Sequence, residues 1–108
     1  RQKVYDTVLF AQEAALKAVR LGVKAKEIDK AARDVIEKAG FGSYFIHSTG
    51  HGVGLDIHEL PVIGSRSESV IEENMVFTIE PGIYLPEQMG VRIEDTIIVR
   101  SNSAEIMG

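Results

Sequence analysis

All three histidines of the chain, His47, His51 and His58, fall inside one stretch, HSTGHGVGLDIHE, laced with Gly50, Gly52 and Gly54. Two glutamates follow on short segments of β character, Glu80 in MVFTIE and Glu94 in VRIEDTIIV. Cysteine is absent, so the donors available to a metal are imidazole nitrogen and carboxylate oxygen, with no thiolate. That set suits Mn²⁺, Co²⁺ or Zn²⁺ at a hydrolytic centre better than a structural zinc. Metal-assisted hydrolysis is the chemistry such a set would do.

Spacing narrows the roles without fixing them. His47 and His51 share a strand face but lie about 13 Å apart if the chain is extended. One ion takes both only if the chain folds back. The economical arrangement is one histidine as ligand and the other in contact with a ligand or the substrate. His58 points to the opposite strand face unless the glycines bend the chain. Glu80 and Glu94 lie on the polar faces of otherwise apolar strands. If those strands pair, the like charges repel unless a cation sits between them. A divalent ion would do this and so, in part, would Arg92, on the same face as Glu94. The same residues also read as an Arg–Glu surface network beside structurally satisfied histidines, and spacing leaves that open.

Several familiar motifs are excluded. HELPV begins like H-E-x-x-H, but position 62 is Val and Pro61 breaks the required helix. GHGVG lacks the dinucleotide spacing and the helix that should follow it. GSRS lacks the flanking glycines of a nucleophile elbow.

Other segments must position these residues. The apolar spacing of Val4, Val8, Ala11, Ala15, Ala18 and Val19 predicts a helix over 3–21, stopped by Gly22. Ile28, Ala31, Ala32, Val35 and Ile36 predict a second over 25–39, ended by a left-handed Gly40. The short GVKAK connection makes the two helices neighbours. The glycine-rich YFIHSTGHGVGLDIHE favours strands, and PVIGSRSESVIEEN a surface loop. MVFTIE alternates, with Met75, Phe77 and Ile79 opposite Thr78 and Glu80. PGIYLPEQMG should turn, leading into VRIEDTIIV as one strand. Two helices followed by an antiparallel β unit make the fold class α+β.

Composition sets outer bounds. A chain of 108 residues is one domain at most, or a piece of one, with room for a modest core. It is 44% hydrophobic and 26% charged, which fits an ordinary globular chain rather than a disordered one. Net charge is −4 with no basic stripe, giving nucleic-acid binding no electrostatic support. Apolar runs are too short to span a membrane. The lack of cysteine suits the cytoplasm. Arg1 is not an initiator methionine and no apolar leader follows it, so the chain reads as cut from something longer.

Three ordered motifs, HSTGHGVGLDIHELP, FTIEPGIYLP and GVRIEDTIIV, resemble the C-terminal half of the pita-bread (creatinase/aminopeptidase-like) metallopeptidases. The EPGIY and VRIED forms look like the proline dipeptidase and aminopeptidase P branch. The helical segment GVKAKEIDKAARDVIEKAGFG fits too, so the resemblance covers nearly all of residues 1–108. It implies two divalent ions, Mn or Co ahead of Zn, roughly 3.5–4 Å apart and sharing a water. His51, Glu80 and Glu94 would be metal ligands, with Glu94 bridging and Glu80 also carrying the proton. His58 would hydrogen-bond the substrate carbonyl or the tetrahedral intermediate, His47 would line the pocket, and Arg92 would pair with a metal-binding aspartate. The substrate would be a peptide with proline second from its N-terminus. The family takes two further ligands, both aspartates, from a strand pair ahead of the first helix, and no aspartate here fills that place. The chain alone is then expected to be inactive, with Glu80, Glu94 and Arg92 more exposed and a bare sheet edge prone to dimerisation or aggregation. Homodimers are common among such relatives. The alternative is a non-catalytic binding module on the same fold.

Overall fold

The computed structural model describes residues 2–53 and 61–107. Helix α1 (Gln2–Ala18) and helix α2 (Ala25–Lys38) come first, followed by a 3₁₀ turn at Gly42–Tyr44. Strands β1 (Gly50–His51), β2 (Val62–Ile63), β3 (Val76–Ile79), β4 (Gly82–Leu85), β5 (Met89–Arg92), β6 (Asp95–Arg100) and β7 (Ser103–Ile106) then complete the described chain. The α+β expectation stands.

Helix α1 buries Val4, Val8, Ala11 and Ala15, a stripe narrow enough for α2 to lie close. On α2 the buried positions are Ala25, Ile28, Asp29, Ala32 and Ile36. The stripe is thus rotated from the expected one, with Ala31 and Val35 only half buried and a carboxylate inside it. Helix α2 has no side-chain cap at Lys24. Instead the serine-rich loop supplies backbone carbonyls, with Ala25 and Lys26 N–H donating to Ser69 and Ser67 at 2.8 and 3.1 Å. These satisfy donors that a helix start leaves without intrahelical partners. At the other end Gly40, at φ 90°, and Phe41 donate to Glu37 and Ile36. That is a Schellman cap on a left-handed glycine, as expected.

The strands depart more from expectation. All are antiparallel: β3 pairs β6 with Phe77 opposite Ile97, and β6 pairs β7. PGIYLPEQMG is no simple turn, because β4 within it forms a hairpin with β5, Gly82 opposite Arg92. The expected single strand VRIEDTIIV is split at Ile93 and Glu94 between β5 and β6. PVIGSRSESVIEEN contains β2 and buries Ile63 and Ile71. Strand β7 was not expected at all. The helices and the strands close on one core of Val8, Ile28, Ile36, Phe77, Ile79, Ile83, Ile97 and Val99.

Strand β1 lies against the edge of β3. Gly52 bridges Phe77, Val53 N–H donates to Val76 at 3.0 Å, and Glu80 N–H donates to Thr49 at 2.6 Å. A Cβ on Gly50 would overlap the carbonyl oxygen of Thr78, so only glycine permits this approach. That contact brings the histidine segment to the glutamate strand.

Candidate metal centre

Glu80 leaves the end of β3 with its side chain 14% exposed. Its Oε2 accepts a hydrogen bond from the Thr78 hydroxyl at 2.6 Å and faces His51 Nε2 at 3.3 Å. The other His51 ring nitrogen, Nδ1, lies 3.1 Å from the carbonyl oxygen of Gly52, to which it must donate. A neutral His51 ring therefore aims its Nε2 lone pair at a carboxylate oxygen. Two acceptors face each other, an arrangement satisfied by a proton or a metal cation between them.

Arg92 stands between the two glutamates, its guanidinium 3.9 Å from Glu80 Oε1 and 3.6 Å from Glu94 Oε1. These are charge contacts rather than hydrogen bonds. With Arg92 half exposed, they add little stability. Glu94 and Arg92 are exposed, whereas the Glu80 side chain is largely covered. Thr78 and His51 cover it. Asp95, next to Glu94, faces away and accepts from Gln12 of α1 at 2.5 Å.

His47 precedes β1 and does not meet His51 on one partner. Its Nδ1 lies 2.7 Å from Ser48 O, which fixes that nitrogen as the donor. A neutral ring then accepts the Tyr84 hydroxyl at Nε2, 2.8 Å away. Phe45 packs against the ring edge-on at 5.2 Å. His47, Gly50, His51, Val62, Glu80 and Arg92 all line one open cavity of about 410 Å³. His58 lies outside the described residues.

The segment before β1 is held from α2. Asp29, fully buried, accepts from Thr49 N–H and from the Thr49 hydroxyl at 3.2 and 2.8 Å, and takes a two-pronged bond from Arg33 at 2.9 and 3.0 Å. Arg33 also donates to the carbonyls of Phe45 and His47 at 3.1 and 3.0 Å and stacks over the Phe45 ring at 4.1 Å. Thr78, Tyr84, Asp29 and Arg33 had no assigned role in the sequence reading. Three of them left a signal there: Thr78 lies two residues from Glu80, hence on its strand face, and the Asp29–Arg33 pair at i,i+4 can close on a helix.

Residues 1–101 match the metallopeptidase family M24. The chain belongs to this family. An Xaa-Pro dipeptidase of Pyrococcus furiosus is 52% identical over 105 residues, covering 97% of this chain and 30% of the relative. A crystal structure of a Pyrococcus horikoshii dipeptidase superposes with TM-score 0.92 at 57% identity, covering 96% of this M24 chain and 29% of that one. An X-Pro aminopeptidase from Thermotoga maritima gives 0.90 at 47% identity, with 97% and 30% covered. The α+β arrangement is thus the pita-bread one, and the M24 chain spans about 30% of the length of these relatives.

A metallopeptidase requires divalent ions, and the M24 chain offers part of a site for them. The 3.3 Å between His51 Nε2 and Glu80 Oε2 is the span of two donors each ~2.1 Å from a common ion at a near-tetrahedral angle. Among the described residues no third His, Asp or Glu closes with them into a cage. Donor types and aim fit a divalent cation; the described set is incomplete.

Proposed function

We propose that this chain forms one wall of a dinuclear metal centre that hydrolyses the bond preceding proline in peptides with proline second from the N-terminus. The observation that carries the reading is the approach of His51 Nε2 to Glu80 Oε2 at 3.3 Å, on a cavity that His47 and Arg92 also line. His51, Glu80 and Glu94 are the proposed ligands, with Glu94 shared between two ions. Two aspartates from outside residues 1–108 complete the set, so these residues are read as the C-terminal part of the catalytic domain and as inactive alone. Manganese or cobalt is the preferred metal. Cytoplasmic location and a homodimer complete the reading, with neither nucleic acid nor membrane as partner.

Ions bound there would supply a Lewis acid for the scissile carbonyl and lower the pKa of the attacking water. Glu80 accepts the proton of that water and delivers it to the proline nitrogen as the C–N bond breaks. Its Oε2 is already engaged by Thr78, which leaves Oε1, on the Arg92 side, for the transfer. Arg92 offsets the repulsion between Glu80 and Glu94. His47, held by Ser48 and Tyr84, forms the pocket wall, and His58 is assigned to the substrate carbonyl.

The test is hydrolysis of Ala-Pro by the protein carrying this chain, loaded with Mn²⁺ or Co²⁺. Glu80→Gln is expected to lower kcat by about 100-fold or more. Equilibrium dialysis against Mn²⁺ should show weaker binding by Glu94→Ala. Binding indistinguishable from the parent would remove the metal site and leave a non-catalytic binding module.

A further inference from the structure

The Thr78 side chain lies on β3 and is almost fully buried, the residue being 3% exposed. It touches two of the three residues proposed as ligands on this wall, His51 and Glu80. His51 N–H donates to the Thr78 oxygen at 3.0 Å, and the Thr78 hydroxyl lies 2.6 Å from Glu80 Oε2. An amide N–H can only donate, so the threonine oxygen receives it and keeps its single proton for an acceptor. Two acceptors are in reach, the Glu80 carboxylate oxygen at 2.6 Å and the His51 carbonyl oxygen at 3.5 Å, and the shorter contact takes the proton. Oε2 is also the oxygen that faces His51 Nε2 at 3.3 Å.

We infer that Thr78 is a positioning residue, whose hydroxyl locks the Glu80 carboxylate onto the backbone of His51 so that both donors present one fixed span to a cation. This rests on the proposed reading of His51 and Glu80 as ligands. A glutamate side chain has three rotatable bonds, and freezing them costs entropy when an ion binds. A hydroxyl bond already in place removes part of that cost beforehand. No other hydrogen bond tethers Glu80 Oε2 among the described residues, because the Arg92 guanidinium approaches only Oε1 and stays 3.9 Å away.

The test compares the parent with Thr78→Val and Thr78→Ser, with Glu80→Ala as the ligand control. Valine keeps the β-branched shape and removes the hydroxyl, whereas serine keeps the hydroxyl. In the metal-free protein, NMR couplings of the Glu80 side chain should report one rotamer in the parent and in Thr78→Ser, and averaging in Thr78→Val. Calorimetric titration with Co²⁺ should give an affinity about 10–100-fold weaker for Thr78→Val, recovered to within about threefold by Thr78→Ser. A single Glu80 rotamer in Thr78→Val overturns the inference. So does a Co²⁺ affinity untouched by Thr78→Val but lost in Glu80→Ala. If Glu80→Ala itself leaves Co²⁺ binding unchanged, the ligand reading of Glu80 falls, and the rotamer result alone decides whether Thr78 positions it. Should Thr78→Val fail to fold, the parent still answers. Its Thr78 hydroxyl proton must exchange slowly with water and show proximity to the Glu80 side chain, and a fast-exchanging hydroxyl sinks the inference.

Discussion

Glu68 and Glu80 both meet cationic partners, with opposite consequences. Glu68 is exposed in the serine-rich loop, 2.7 and 2.6 Å from the ammonium groups of Lys24 and Lys26. Their hydrogen bonds hold its carboxyl at about 2, well below the ordinary carboxylate value. The same pairing raises the Lys24 ammonium above its usual range. A depressed carboxylate contributes stability that is present above the unfolded value near 4.5 and lost as pH falls through about 2. The group is fully exposed, so salt screens most of the effect. NMR titration at low ionic strength should place the Glu68 midpoint near 2, with an upward move on adding salt or on Lys24→Ala. An unshifted midpoint in the parent would show that the pair does not persist in solution. Glu80, by contrast, is covered and faces a ring nitrogen, a Thr hydroxyl and only a distant guanidinium. Its surroundings suit holding an ion rather than adding surface charge.

Helix α2 bears on the candidate site without reaching it. One carboxylate on its buried face, Asp29, and one guanidinium a turn later, Arg33, together bind Thr49 and the carbonyls of Phe45 and His47. Among the described residues, the segment before β1 has no ladder partners until Gly50 pairs with Ile63. Its Phe45 and His47 carbonyls and its Thr49 N–H are satisfied by α2 instead, as buried backbone requires. Asp29→Ala leaves the Thr49 donors and Arg33 without their acceptor. Breaking a buried pair costs about 3–5 kcal/mol, and the 23% exposure of Arg33 argues for the lower end or slightly below, ~2–4 kcal/mol. Urea unfolding measures the loss. Hydrogen exchange at Thr49 should quicken even where the fold persists. A variant with parent stability would show that the network is dispensable.

For the whole molecule, the core is closed but the candidate site is open. His51 and Arg92, which line the cavity, are more than half exposed, and the Glu94 side chain is 44% exposed. Ile46 and Val62, next to that cavity, are 75% and 52% exposed. Among the described residues the outer edge of β7 pairs with nothing, and Ile106 and Met107 beside it are about half exposed. Open edges and exposed apolar side chains favour association. Light scattering on these 108 residues in isolation should therefore show dimers or larger species growing with concentration. A monodisperse monomer at all concentrations would contradict this.

The sequence by itself determined the two helices, their left-handed glycine stop at Gly40, the α+β class and the family. Each depends on local periodicity or on contiguous motifs such as FTIEPGIYLP. It also singled out His47, His51, Glu80, Glu94 and Arg92 as residue types fit for one chemistry. Tertiary structure decided the rest, because the deciding contacts join distant positions. The β4–β5 hairpin and the break at Ile93–Glu94 arise from strand pairing across residues 82–92, which no alternation within one segment records. Asp29 takes its role from Thr49 and Arg33, which place their donors on it from outside its own helical turn and from the next one. Thr78 became the link between His51 and Glu80 only because Gly50 lets two backbones meet. Spacing sets what a residue can do, and close packing between remote segments sets what it touches.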